Sequence, residues 1–429
     1  MCIRDRAYPI AIKRIRGSLM SNNKCSIIGA SHAGVSLAMQ LRREGWPHEI
    51  ELISDEMELP YHRPPLSKDL LLGKKTLDQI RLRPEKMFED NDISLSLGRR
   101  VKAIHKQEKK LIFTDGKESN YGKLAICVGS TVKKIPFGNQ FENVFYLREA
   151  TDVKKIQSVL PRMKRVVIIG AGYIGLEVCA VLRQLGIEVT IVDIAKRVLE
   201  RVTSSYLSQW VRKLHEDNGV SFILGTGVKE IKGEDQAESV VCTNGKALDC
   251  DAVFVGIGVN PNVELAREIG LKVDKGIIVN EICKTSEDDI YAAGDCTQFY
   301  TSLYDKVINL ESVQNANDQA RCAAVNIAGG SQIYESLPWF WSDQYDAKIQ
   351  MVGLNHESAE IIVRGNPNVS DKNGLALFYL KNSRVVAADC VNRPKEFAAA
   401  KQLIQSKMHL AKSILEDESI DPFKFKDYA

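Results

Sequence analysis

The sequence predicts an α/β protein built from two βαβ units followed by a third, α+β part, and two observations carry that prediction. One strand-turn-helix-strand pattern occurs twice, and from about residue 337 the chain alternates as short strands that end in a helix. In the first copy an apolar strand ending Cys25-Ser26-Ile27-Ile28 meets Gly29-Ala30-Ser31-His32-Ala33-Gly34, then a helix over 35–43, then a strand over 50–53 that leads to Asp55. In the second, Val166-Val167-Ile168-Ile169 meets Gly170-Ala171-Gly172-Tyr173-Ile174-Gly175, a helix through Leu185, and a strand over 189–192 that ends at Asp193. Strands are expected near 348–354, 359–364, 375–381 and 384–391, with a helix over about 394–407.

Composition narrows the function classes. A chain of 429 residues should form two to four domains, with about three the central expectation. Apolar residues at 44% and charged ones at 26% describe an ordinary globular protein. The net charge of +3 comes from 58 basic and 55 acidic side chains, too even a balance to imply a nucleic-acid surface. The longest uncharged stretch, 25–41, is interrupted by polar residues and falls short of the roughly 20 apolar positions of a membrane span. None of the ten cysteines has CxxC or CxxxxC spacing, and the seven histidines form no HxxxH pair, so neither a paired-thiol redox motif nor a metal site is expected. The cysteines read as small core residues of a reducing compartment, and a cytoplasmic location is expected. Residues 1–19 begin MCIRDR, which resembles a translated sequencing adapter; they are expected to lie outside the fold, with Met20 as the start.

The glycine-rich turns point to chemistry. A turn of this kind lets backbone N–H groups approach a pyrophosphate at a helix N-terminus, and an acid about 20 residues on can accept from ribose hydroxyls. Asp55 and Asp193 occupy those places. Ser31 replaces the middle glycine of the first turn and brings a small side chain close to the phosphate position. Two such units in one chain suggest one flavin held permanently and one nicotinamide nucleotide that visits. The alternative for each turn is an ordinary glycine loop.

Which unit holds which ligand follows from a resemblance. Thr285-Ser286 and Asp289-Ile290-Tyr291-Ala292-Ala293-Gly294-Asp295 resemble the second FAD motif of pyridine-nucleotide-disulfide-reductase-like flavoproteins; a strand end with a solvated aspartate is the alternative. Leu59-Pro60-Tyr61-His62-Arg63-Pro64-Pro65-Leu66-Ser67-Lys68 resembles the loop of NADH-dependent ferredoxin reductases that serve oxygenases, the putidaredoxin and rubredoxin reductase group. Read alone, that block is a rigid connector in which Ser67 can cap a helix. Gly170 to Glu177, Gly256-Ile257-Gly258-Val259-Asn260-Pro261-Asn262, Glu311-Ser312-Val313-Gln314-Asn315-Ala316 and Pro338-Trp339-Phe340-Trp341-Ser342-Asp343-Gln344 follow in the family's order.

The resemblance implies two Rossmann-like dinucleotide-binding domains and a C-terminal α+β domain. The FAD domain is discontinuous, 20–132 and 255–336; the NAD domain, 133–254, is inserted; the third spans 337–429. It implies that Gly29, Ser31, His32, Ala33, Gly34, Asp55, Arg63, Lys68, Gly129, Gly294, Asp295, Ser312, Val313 and Trp341 bind FAD, and that Gly170, Gly172, Tyr173, Ile174, Gly175, Glu177, Asp193, Gly256 and Gly258 bind NADH. Lys68 and Glu177 are the implied catalytic residues, paired with each other beside the flavin; a solvated lysine at a helix start is the other reading of Lys68. Tyr173 covers the flavin or is simply packed, and Trp341 lies over the flavin edge or in a domain core. Asp193 favours NADH over NADPH, although Lys196 and Arg197 follow closely.

The chain departs from the family pattern at Asn309, where arginine is frequent, and at Cys127-Val128-Gly129, where Ala-Thr-Gly is usual. The 59–68 loop has no cysteine, so electrons are expected to leave for an external ferredoxin or rubredoxin-type iron-sulfur protein, with the chain a monomer or homodimer. The competing functions are reduction of a small acceptor, of the monodehydroascorbate reductase or diaphorase type, and a redox interaction protein like apoptosis-inducing factor.

Overall fold

The structure, a computed structural model, describes residues 23–355 and 360–428. The expectations about residues 1–19 and Met20 lie outside the described residues. Both βαβ units form, and each seeds a five-stranded parallel sheet. In the first sheet the spatial order is Ile290–Ala292, Lys123–Ile126, Cys25–Ile28, Ile50–Ile53, Ile93–Ser96. In the second it is Ser221–Leu224, Glu188–Asp193, Arg165–Ile169, Ala252–Val255, Val144–Phe145. The second sheet lies entirely between two strands of the first along the chain. Where the chain leaves and returns, Ser130–Val132 pairs antiparallel with Val259–Pro261. Parallel strands covered on both faces are largely apolar, and Cys25–Ile28 and Ile50–Ile53 are buried at every position, the one charged residue among them, Glu51, being paired with Lys24 and bonded by Ser96 and Ser119.

The third part is an antiparallel sheet in the order Trp339–Gln344, Ala347–Gly353, Arg384–Val391, Leu375–Lys381, Glu360–Gly365, backed by the helix Pro394–Ser406. Four of its strands were expected from the sequence. Trp339–Gln344 was not, because its three aromatics read as a cluster rather than as an alternating strand.

One continuous core joins all three parts. Leu66 and Leu70 from the proline-rich loop, Leu176 and Val178 from the second glycine-turn helix, and Ile349, Met351 and Leu377 from the C-terminal sheet belong to the same buried cluster. That helix, Tyr173–Gln184, is buried at every position from Gly175 to Leu182, so any charged residue inside it must find partners.

A buried polar contact ties the C-terminal sheet to the inserted part. Asp389, buried, accepts hydrogen bonds from Thr203 Oγ1 at 2.6 Å and from Tyr379 Oη at 2.5 Å. Burial pushes its carboxyl up from 3.8 to about 6. A carboxyl raised on folding stabilises the fold below 3.8 and loses that contribution as pH rises through about 6. Asp389→Asn, whose amide oxygen accepts the same two bonds, should therefore gain roughly 1 to 3 kcal/mol over the parent at pH 7 and lose the advantage near pH 4, as read by denaturant unfolding across pH. A pH-independent difference would show that Asp389 is ionised at no cost.

Candidate functional site

Both glycine turns open on one cleft of about 1870 Å³ between the two parallel sheets and the C-terminal sheet. A site for one small ligand is roughly 300 to 1,000 Å³, so this space suits two extended ligands better than one. Of the residues expected to bind FAD or NADH, all line the cleft except Gly34 and Gly175. Those two lie behind it. A Cβ on Gly34 would stand 1.9 Å from the Gly29 carbonyl oxygen, and one on Gly175 would stand 2.3 Å from that of Gly170. Their role is the close packing of helix on strand.

The first residue of each turn is equally constrained. Gly29 has φ +107 and its Cβ would meet the Cys127 oxygen at 2.2 Å; Gly170 has φ +110 and its Cβ would meet the Gly256 oxygen at 2.3 Å. The helices that follow, His32–Arg43 and Tyr173–Gln184, start without a side-chain cap, whereas Ser204 and Ser312 cap the helices Ser205–Asp217 and Val313–Ile327. Uncapped N–H groups facing a cleft are anion receptors. His32 adds a buried Nε2 with no hydrogen-bond partner among the described residues. Burial, reinforced by His62, Arg63 and Arg148, pushes its pKa down to about 3, so the ring is neutral at pH 7. These features fit a diphosphate group at each turn, and the residues present match FAD and a nicotinamide nucleotide.

Around the first turn, Arg63 donates from Nε to Ser31 Oγ at 3.2 Å and from Nη1 to the Arg148 oxygen at 2.7 Å, and pairs with Glu56 at 2.5 Å. The Ser31 hydroxyl is thus engaged by Arg63. Asp295, delivered by the strand Ile290–Ala292, accepts from Ser130 Oγ at 3.0 Å and Arg148 Nη2 at 3.2 Å. Glu56, Ser130 and Arg148 escaped the sequence reading; only Glu56, next to Asp55, carried a signal. Asn309 donates to the Thr297 oxygen at 2.8 Å and fills the space beside Gly276, so this departure from the family pattern is a packing residue.

The wall between the two turns holds the most constrained group. Glu177 is 3% exposed. Its Oε2 lies 2.8 Å from Lys68 Nζ and accepts from Ser67 Oγ at 2.5 Å, and its Oε1 accepts from Ser342 Oγ at 2.6 Å. Lys68 is therefore no solvated lysine, and Ser67 caps nothing: Pro64–Ser67 is itself a 3-10 turn and its hydroxyl turns inward. Three segments remote in sequence meet on one carboxylate. Tyr173 packs on Phe340, ring centres 4.8 Å apart, and its hydroxyl reaches Met351 Sδ at 3.3 Å. Trp341 lines the cleft beside Phe340 and lies 5.7 Å from Trp339.

Asp193 differs from the simple expectation. Its Oδ2 accepts from Ala171 N at 2.6 Å and its Oδ1 from Ala195 N at 2.8 Å, so it braces the second turn, leaving one lone pair on each oxygen for a ligand. Arg197 donates to the Thr203 and Glu200 carbonyl oxygens at 2.9 and 2.8 Å, which commits its guanidinium to the backbone.

Comparison with known proteins follows this geometry. The model of the pyridine nucleotide-disulphide oxidoreductase family matches residues 23–320, and that of the reductase C-terminal domain matches 339–424. Putidaredoxin reductase from Pseudomonas putida is 39% identical over 407 residues, 93% of this chain and 96% of that protein. The ferredoxin reductase subunit of a Sphingobium 5,5'-dehydrodivanillate O-demethylase is 40% identical over 389 residues, 90% and 94% of the two. Among solved structures, the covalent putidaredoxin reductase-putidaredoxin complex superposes with a TM-score of 0.90 at 38% identity, covering 95% of this chain and 99% of that one.

Gly175→Ala should lower the unfolding midpoint measurably, by the equivalent of about 1 to 3 kcal/mol, because its methyl can be housed only by lifting the helix off its strand. A midpoint equal to the parent's would show that the turn has slack.

Proposed function

The chain belongs to the pyridine nucleotide-disulphide oxidoreductase family, in the form that carries a reductase C-terminal domain, and from that premise we propose that it is an NADH-dependent ferredoxin reductase that passes electrons singly to a ferredoxin or rubredoxin-type iron-sulfur protein of an oxygenase system. The observation that carries the reading is the Lys68–Glu177 pair on the wall shared by two dinucleotide turns. We assign the division 20–132 with 255–336, 133–254 and 337–429 to FAD, NAD and C-terminal domains; the antiparallel link of 130–132 with 259–261 supports it.

FAD, when bound, supplies the conversion between hydride and single electrons. The protein's share is binding, orientation and electrostatics. In this reading Gly29, Ser31, His32, Ala33, Asp55, Arg63, Gly129, Gly294, Asp295, Ser312, Val313 and Trp341 hold FAD, with Gly34 packing the first helix behind. Gly170, Gly172, Tyr173, Ile174, Asp193, Gly256 and Gly258 receive NADH, with Gly175 packing the second. Lys68 keeps a positive charge, fixed by Glu177, where negative charge would build up. Glu177 retains one lone pair, on Oε1, that can accept from the nicotinamide carboxamide. Tyr173 and Phe340 form an aromatic wall that keeps water from that pair. NADH is the preferred donor, since Asp193 would repel a 2′-phosphate and Arg197 is committed to carbonyl oxygens. A cytoplasmic location, where NADH is supplied, accompanies the proposal.

Electron exit is read from cytochrome c reduction driven by NADH. A ferredoxin of an oxygenase system should stimulate it strongly, and NADPH should serve poorly; unstimulated turnover of a quinone, or equal use of NADPH, would contradict the assignment. Lys68→Ala should slow flavin reduction about ten- to a hundredfold while FAD stays bound, and Glu177→Ala should weaken NADH binding about tenfold. Stopped-flow absorbance and equilibrium titration measure both, and unchanged values would remove the pair from the mechanism.

A further inference from the structure

The hydrogen bonds behind Glu177 continue well past Ser342. Ser342 Oγ lies 2.6 Å from Glu177 Oε1, Gln344 Nε2 lies 3.2 Å from Ser342 Oγ, His215 Nε2 lies 2.9 Å from Gln344 Oε1, and the Tyr345 hydroxyl lies 3.3 Å from His215 Nδ1. Ser342, Gln344 and His215 have no exposed surface. Apolar side chains of similar size would fill this space without the cost of burying polar groups, so the polar identities call for a reason beyond packing.

The polarity of the chain follows from its end. A carboxylate can only accept, so Ser342 donates to Glu177 and its oxygen is left to accept from the Gln344 amide nitrogen. That turns the Gln344 oxygen toward His215, whose Nε2 must then carry the proton. Nδ1 is left bare and accepts from the Tyr345 hydroxyl. Burial pushes the His215 pKa down to about 4, so the ring is neutral at pH 7, as this tautomer requires. Cys179, two residues beyond Glu177 on the same helix, is buried beside the Tyr345 side chain, and burial pushes its thiol pKa up. Tyr345 itself is held at φ +55 in the turn between two strands, a conformation that costs an aromatic residue energy. Every donor points toward Glu177.

We propose that Tyr345, His215, Gln344 and Ser342 are positioning residues, a one-way hydrogen-bond relay that holds the Glu177 carboxylate in the orientation that receives the nicotinamide. This deepens the proposed function and rests on it. The relay explains why a serine and a glutamine occupy the buried positions of the strand Trp339–Gln344, whereas the strand Leu375–Lys381 of the same sheet buries an almost wholly apolar run. Without the Tyr345 hydroxyl the imidazole can take its other tautomer, the Gln344 amide can flip, and Ser342 would then donate to Gln344 in place of Glu177.

The test uses the FAD-loaded full chain and reads three quantities: FAD content, unfolding midpoint and the dissociation constant for NAD+ by equilibrium titration. Gln344→Met and His215→Leu should raise that constant about three- to tenfold with FAD content unchanged. Tyr345→Phe, which leaves the core filled, should raise it about two- to threefold with the midpoint unchanged, and His215→Gln, which keeps a donor toward Gln344, should restore most of the affinity. Wild-type affinity in Gln344→Met and Tyr345→Phe would overturn the relay, as would losses in His215→Gln as large as in His215→Leu. A parent protein that binds FAD but no NAD+ would instead overturn the functional reading, and the relay's role with it.

Discussion

A single buried carboxylate, Glu177, holds the three parts of this molecule in register. In a helix wrapped by apolar neighbours an ionised group cannot be hydrated, so its charge has to be met by the protein. The proline-rich loop meets it with Lys68 and Ser67, and the C-terminal sheet with Ser342. Removing one partner of such a buried pair costs far more than an exposed ion pair is worth, because the other charge stays stranded. The interaction that orders the junction is therefore also the one that places a lysine and a carboxylate side by side on the wall of the cleft.

The same backbone constraint shapes both sides of that cleft. At each glycine turn the first glycine lets a neighbouring strand's carbonyl approach, and the last lets the helix lie against its own turn. The outcome is two uncapped helix N-termini directed into a common space. Repetition of one local solution, separated by an inserted sheet, is enough to bring two phosphate receptors together with the ion pair between them.

The local patterns carried most of the fold. Strands over 25–28, 50–53 and 165–169, and the helices that follow the turns, are written in apolar runs and glycine spacing, and so are four strands of the C-terminal sheet. Contacts that depend on distant pairing are not written in the local patterns; the Lys68–Glu177 pair was offered only by the family resemblance. Ser342 lies 165 positions from Glu177, and nothing near either residue marks the contact. Ser67, which the local pattern allows to cap a helix, instead donates to Glu177, because the tertiary demand of a buried carboxylate overrides the local rule. Asp193 was legible as the acid at a strand end, but its bonds to Ala171 and Ala195 depend on how the turn folds back over it.

The most direct measurement of the central claim is a double-mutant cycle between Lys68→Met and Glu177→Gln, read on the rate of flavin reduction by NADH. If the two groups act as one unit, the double variant will be about as slow as the slower single variant, with a coupling of roughly 1 to 3 kcal/mol. Multiplicative effects, with no coupling, would mean that the pair stands beside the chemistry without taking part in it.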